Sequence, residues 1–236
     1  MNNPYGKQDM TITQARADAS TIFLAKVFNW MAVGLGLTGF TAYLVASTGL
    51  ALVLVSSPLF FVLILAELGM VFYLSARIQK LAAGTATGLF VGYSVLNGVT
   101  LSTIFLAYTA SSLAGTFFIA GGMFAAMAVY GMVTKKDLSA MGSFLFMGLI
   151  GMVIAAVVNM FLGSPTLSWM ISGIGVLVFT GLTAYDVQKI TAMGAQGIME
   201  NGEAAIRKGA IMGALALYLD FINLFLSLLH FLGDRR

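Results

Sequence analysis

Polar residues in this chain fall in clusters, and between the clusters the sequence runs apolar for close to 20 positions at a time. Bounded by charges and turn residues, the runs cover 27–46, 50–74, 86–108, 113–133, 138–162, 167–185 and 210–232. At 1.5 Å of rise per residue, about 20 helical residues cross a hydrocarbon core roughly 30 Å thick. A membrane barrel would instead show segments of ~10 residues alternating apolar and polar, and the runs here are too long and continuous for that. The pattern predicts an all-α polytopic membrane protein with seven transmembrane helices. Residues 1–26 read as a polar cytoplasmic leader, 27–233 as a single transmembrane domain and 234–236 as a short external tail. The leader carries Lys7, Asp9, Arg16, Asp18 and Lys26 with no apolar core, which excludes a cleavable signal peptide.

Composition and charge sharpen this picture. Hydrophobic residues make up 59% of the chain and charged residues 9%, against about 25% charged in a soluble domain. Without cysteine there is no disulfide and no thiolate metal site. Ten Lys and Arg residues lie in the leader and in the joints after spans two, four and six, against Arg235 and Arg236 on the other side. The positive-inside rule then puts the N-terminus in the cytoplasm and the C-terminus outside. The same bias accounts for the pI near 9.2, so no nucleic-acid partner is expected. Gly34, Gly36, Gly39, Gly121, Gly122, Gly148, Gly151, Gly173 and Gly175 lie inside spans and read, as a set, as positions of close helix packing.

Candidate chemistry is confined to a few charges within the apolar runs. Asp220 is the one formally charged residue in 209–233, and intramembrane acids mark ion or proton paths. Helical rise places Asp220 about 19 Å and Asp186 about 25 Å from the outer ends of their spans, within about one turn of a common depth. Taking Pro58 as the outer start of the lipid-embedded part of span two, Arg77 lies about 28 Å and Glu67 about 13 Å in. Two carboxylates in one low-dielectric site cannot both ionise cheaply, so Asp186 and Asp220 would form a pH-responsive latch, with the Arg77 guanidinium suited to bridge them. A purely structural ion-pair network is the alternative. Glu67 reads equally as a gate or as a hydrogen-bonded core acid. Asn223 shares a face with Asp220, and Asn97 and Asn159 read as interhelical glue. His230 reads as an interface residue. Tyr73, Tyr185 and Tyr218 stand beside the key charges as candidate hydrogen-bond partners. HExxH and P-loop motifs are absent, and the lone histidine sits at the outer end of the last span, so no enzyme is expected.

YLSARIQKL closing span two, TAYDVQKI closing span six and ALALYLDFINLFLSLL in span seven resemble the transmembrane Bax inhibitor motif family, also called the Bax inhibitor-1 family, in its bacterial branch. The resemblance covers essentially all of the chain after the leader. It implies a seven-helix bundle with the last helix central and surrounded by the other six, residing as a monomer in the bacterial inner membrane. It further implies a pH-sensitive calcium leak in which Asp186 and Asp220 are the proton-sensing pair, Arg77 is the latch, and Glu67 with Asn223 supplies pore or gate positions. Calcium is then the permeant ion, touching Asp186 and Asp220 transiently, with no tightly bound cofactor. Two rivals remain open: a modulator or binding partner of other membrane proteins, such as a membrane protease, and a proton-coupled transporter. The connection 187–209 is long and holds Glu200 and Glu203. It either extends both flanking helices into the cytoplasm or forms a capping loop.

Overall fold

Backbone hydrogen bonding has no substitute in hydrocarbon, so each apolar run closes its bonds within itself as helix. The computed structural model describes the backbone of residues 4–235 and the side chains of 14–235; residues 1–3 of the expected leader and Arg236 of the expected tail lie outside the described residues. The elements are α1 (Pro4–Ser47), α2 (Leu50–Val55), α3 (Leu59–Arg77), α4 (Ala83–Leu101), α5 (Ile104–Ala107), α6 (Ala110–Val133), α7 (Ser139–Leu162), α8 (Pro165–Ala195), a 3-10 turn (Ile198–Glu200) and α9 (Glu203–Leu232). Among the described residues, seven helical stretches are long and apolar enough to cross a membrane, from Gln14–Ser47 through Glu203–Leu232.

Several boundaries differ from the sequence reading for local reasons. The run 50–74 breaks at Ser56, Ser57 and Pro58, because proline cannot donate to the helix ladder, and the span is α3 alone. Ser102 and Thr103 separate α4 from the short α5, with their hydroxyls donating back to the Val99 and Thr100 carbonyls. The α1 helix passes Lys26 without interruption, and Ser20, Phe23 and Leu24 are buried, so the second half of the leader is part of the bundle. The segment 187–209 is mostly helix: α8 continues to Ala195 and α9 begins at Glu203. Gly197 and Gly202, with φ of 86° and 81°, take left-handed conformations that let the chain reverse between them.

The last helix is the core. Of its most apolar window 67% is buried, against 0% for α7 and 6% for α3. It packs on α1, α4, α6 and α8. Of the remaining spans, α3 packs chiefly on α4, and α7 on α8. Lipid tails are as apolar as leucine, so association relies on close van der Waals approach. A Cβ on Gly131 of α6 would overlap the Ala184 carbonyl of α8, and one on Gly142 of α7 would overlap the Tyr185 ring. The expected glycine set is only partly a packing set: Gly34 and Gly175 are tightly enclosed, whereas Gly36, Gly39, Gly121, Gly122 and Gly151 face open space.

Candidate functional site

The turn at Gln196–Gly202 makes α8 and α9 an antiparallel pair, which brings Asp186 and Asp220 to one level. Their side chains face each other across the α8–α9 contact. Asp220 is 5% exposed, and among the described residues no donor reaches its Oδ2. Since neither carboxylate has a hydrogen of its own when ionised, a bond between the two requires a proton held between them. The pair lines a cavity of about 580 Å³ bounded by α3, α7, α8 and α9, with Ser75, Ser143, Lys189 and Asn223 also on its walls. Asn223 donates through Nδ2 to the Leu219 carbonyl at 2.8 Å.

The cation facing Asp186 is Lys189, one helical turn along α8, whose Nζ lies 5.9 Å from the centroid of the Tyr185 ring. Arg77 is exposed at the end of α3 and is not among the residues lining the cavity. The structure thus unites the two aspartates without the expected arginine bridge. The C-terminal end of α3 and the N-terminal end of α9 are instead tied by Lys208, whose Nζ donates to the Gln79 carbonyl at 3.0 Å. Among the described residues no three His, Asp or Glu side chains converge to hold a metal ion.

Glu67 stands apart from this pair in a second polar cluster. Thr100 Oγ1 donates to its Oε1 at 2.7 Å, and Asn97 Nδ2 donates to its Oε2 at 3.1 Å. Tyr218 of α9 donates to Asn97 Oδ1 at 2.9 Å, and the Thr38 hydroxyl of α1 lies 2.6 Å from the Tyr218 oxygen. Each hydroxyl has one hydrogen. The Gly34 and Ser94 carbonyls, at 2.9 and 2.8 Å, compete with the Tyr218 oxygen for the Thr38 hydrogen, and the path runs from α1 through Tyr218 and Asn97 to Glu67. Four helices are joined through one carboxylate. The core-acid and interhelical-glue readings of Glu67 and Asn97 describe this geometry.

At the opposite end, Asn159 Nδ2 donates to Ser168 Oγ at 2.6 Å, linking α7 to α8. His230 Nδ1 meets the Arg235 guanidinium at 3.2 Å. The backbone of Arg235 pairs with Tyr108, which ties the chain end to the joint before α6. In the joint between α6 and α7, Asp137 accepts from the Ser139 backbone N–H at 2.9 Å, and bonds from Ser139 hold its carboxyl below the usual aspartate range.

Sequence reasoning missed Thr38 and Thr100. Hydroxyls are common in spans, where they can bond to the preceding turn, so neither stands out by type. The signal was the Asn97–Gly98 doublet: a Cβ on Gly98 would overlap the Thr38 carbonyl, marking the contact of α1 with α4. Tyr73, one of the tyrosines expected near the charges, is exposed.

A family model described as "Inhibitor of apoptosis-promoting Bax1" matches residues 21–236. The chain belongs to the Bax inhibitor-1 family. It is 51% identical over 228 residues to the inner membrane protein YbhL of Escherichia coli, spanning 96% of this chain and 97% of that protein. It is also 47% identical over 231 residues to an uncharacterized protein of Deinococcus radiodurans, spanning 97% of each. A protein of Borreliella burgdorferi is 47% identical over 216 residues, or 91% of this chain and 92% of that one. The family description names no enzymatic activity. A seven-span bundle with a central last helix is the fold in which this Bax inhibitor-1 member sets its two polar clusters.

Proposed function

We propose that the chain is a pH-sensitive calcium leak of the inner membrane, with the Asp186–Asp220 pair as its proton sensor. The observation that supports this reading best is the pair of carboxyl groups facing each other at a cavity wall, one oxygen of which has no donor among the described residues. Withdrawing the shared proton leaves two like charges in contact, and their repulsion is relieved either by separation of α8 from α9 or by a cation entering between them. Calcium prefers six to eight oxygen ligands. Two carboxylates with the Asn223 amide suit passage better than storage. Glu67 is a gate position in this proposal, holding α3 to α4 through its two donors. Arg77 acts as a restraint only in a state where the cytoplasmic ends have rearranged. The name of the Escherichia coli relative supports the inner membrane, and the clustering of basic residues supports a cytoplasmic N-terminus.

The test is calcium entry into liposomes containing the purified protein. A leak gives downhill entry that responds to pH itself. Entry that saturates and needs a pH gradient identifies a proton-coupled transporter, and entry equal to that of empty liposomes sinks both in favour of a non-conducting partner protein.

A further inference from the structure

A second cavity, of about 360 Å³, lies on the other side of α9 between α1, α5 and α6, and nothing in the proton-sensing reading uses it. Its walls include Gly39, Phe105, Leu113, Phe221 and Phe225, with Thr38 as its polar residue. The Thr38 hydroxyl is already engaged with Tyr218 and with backbone carbonyls. Water entering here would find no free partner, and cavities of this kind stay dry.

Depth decides what can enter. Measured along the helices, Ala42 and Leu35 lie about 8 and 18 Å from the outer end of α1, and Leu113 and Phe118 about 5 and 12 Å from that of α6. This is the acyl-chain region of the outer leaflet. The lips are open to it: Phe118 is 76% exposed, and a Cβ on Gly39 would meet nothing within 4 Å. The medium at the mouth is hydrocarbon.

We propose that this cavity is a binding site for one acyl chain of an outer-leaflet phospholipid, seated against Phe221 and Phe225 of the central helix. An occupant there touches the turn of α9 that carries Asp220 on its other face, and it touches Thr38 at the end of the hydrogen-bond path to Glu67. It contacts both polar clusters from the apolar side.

The experiment uses the full chain with Trp30→Phe and Trp169→Phe, and Phe225→Trp as the reporter, in phosphatidylcholine vesicles with plain or dibrominated acyl chains. Bromine quenches only at contact, and position 225 is 7% exposed in the structure. The expected result is loss of emission in brominated vesicles, restored by Gly39→Phe, which blocks the mouth, and not by Gly36→Phe, which also faces open space outside the cavity. No loss, or a loss indifferent to Gly39→Phe, overturns the site. Quenching by aqueous acrylamide in its place would make the cavity wet and also overturn it. Should the reporter variant fail to fold, spin-labelled phosphatidylcholine and the wild-type chain give the same answer: Gly39→Phe must reduce the motionally restricted lipid fraction, and an unchanged fraction overturns the proposal.

Discussion

Tyr218 of α9 donates to the Asn97 amide oxygen of α4 at 2.9 Å, and its oxygen lies 2.6 Å from the Thr38 hydroxyl of α1. The phenol is fully buried and stacks edge-on with Phe90 and Tyr93 at 6.0 and 5.7 Å between ring centroids. Removing its hydroxyl leaves the amide oxygen without its donor and takes from Thr38 its closest partner, leaving it the Gly34 and Ser94 carbonyls. Tyr218→Phe should therefore lower stability by about 1–2 kcal/mol, the range for interhelical hydrogen bonds in lipid. Thermal unfolding in detergent checks this, with Tyr93→Phe, whose hydroxyl has no such partner, expected to change little.

Helix contact is equally position-specific for glycine. Gly131→Ala drives a methyl into the Ala184 carbonyl, a backbone group that cannot rotate away, and should cost about 1–3 kcal/mol. Gly121→Ala, on the same helix but facing open space, should be neutral or slightly stabilising through helix propensity. Equal melting temperatures for the two variants would refute the packing assignment.

Asp137 supplies a pH dependence that lies outside the spans. Its carboxyl is held low by bonds from Ser139, so the unfolded chain binds the proton more readily than the folded one. The stabilisation is complete above the ordinary aspartate range and is lost as pH falls through the lower folded value. The melting difference between wild type and Asp137→Ala should be constant at neutral pH and shrink in strong acid. A difference that widens on acidification would reverse the sign.

Much of this was legible in the chain because the bilayer imposes its own ruler. Span lengths follow from hydrocarbon thickness, and Asp220 is conspicuous because a charge is rare in such a helix. Pro58 reads as the outer start of the lipid-embedded part of a run beginning at residue 50, and the spanning helix α3 does begin at Leu59. The end of α8 was placed at Tyr185 because polarity rises there, yet a helix continues into water as readily as it crosses lipid, and it runs to Ala195. Arg77 has the depth of the aspartates but not their direction, because depth along a helix leaves rotation about its axis undetermined. The Thr38–Tyr218–Asn97 path needs that rotation for three helices at once, which no single-span pattern encodes.

Rotation also separates the two candidate cations. Lys189 faces Asp186, whereas Arg77 is exposed and outside the cavity. Lys189→Met removes a positive charge that favours the ionised pair, so the pH midpoint of calcium entry should move upward. Arg77→Ala should leave that midpoint in place. A shift with Arg77→Ala and none with Lys189→Met would restore the arginine as the restraint on the pair.

The shared proton between Asp186 and Asp220 is the centre of the proposal, and an amide substitutes for it directly. In Asp220→Asn the side-chain NH₂ can donate to the Asp186 carboxylate with no proton to gain or lose. The decisive measurement is calcium entry into proteoliposomes across a pH series for wild type, Asp220→Asn and the Asp186→Asn/Asp220→Asn pair. Wild-type entry should rise above empty liposomes and change with pH through a single transition, and both variants should lose that transition. A transition that survives in the double variant, or wild-type entry no greater than that of empty liposomes, would contradict it.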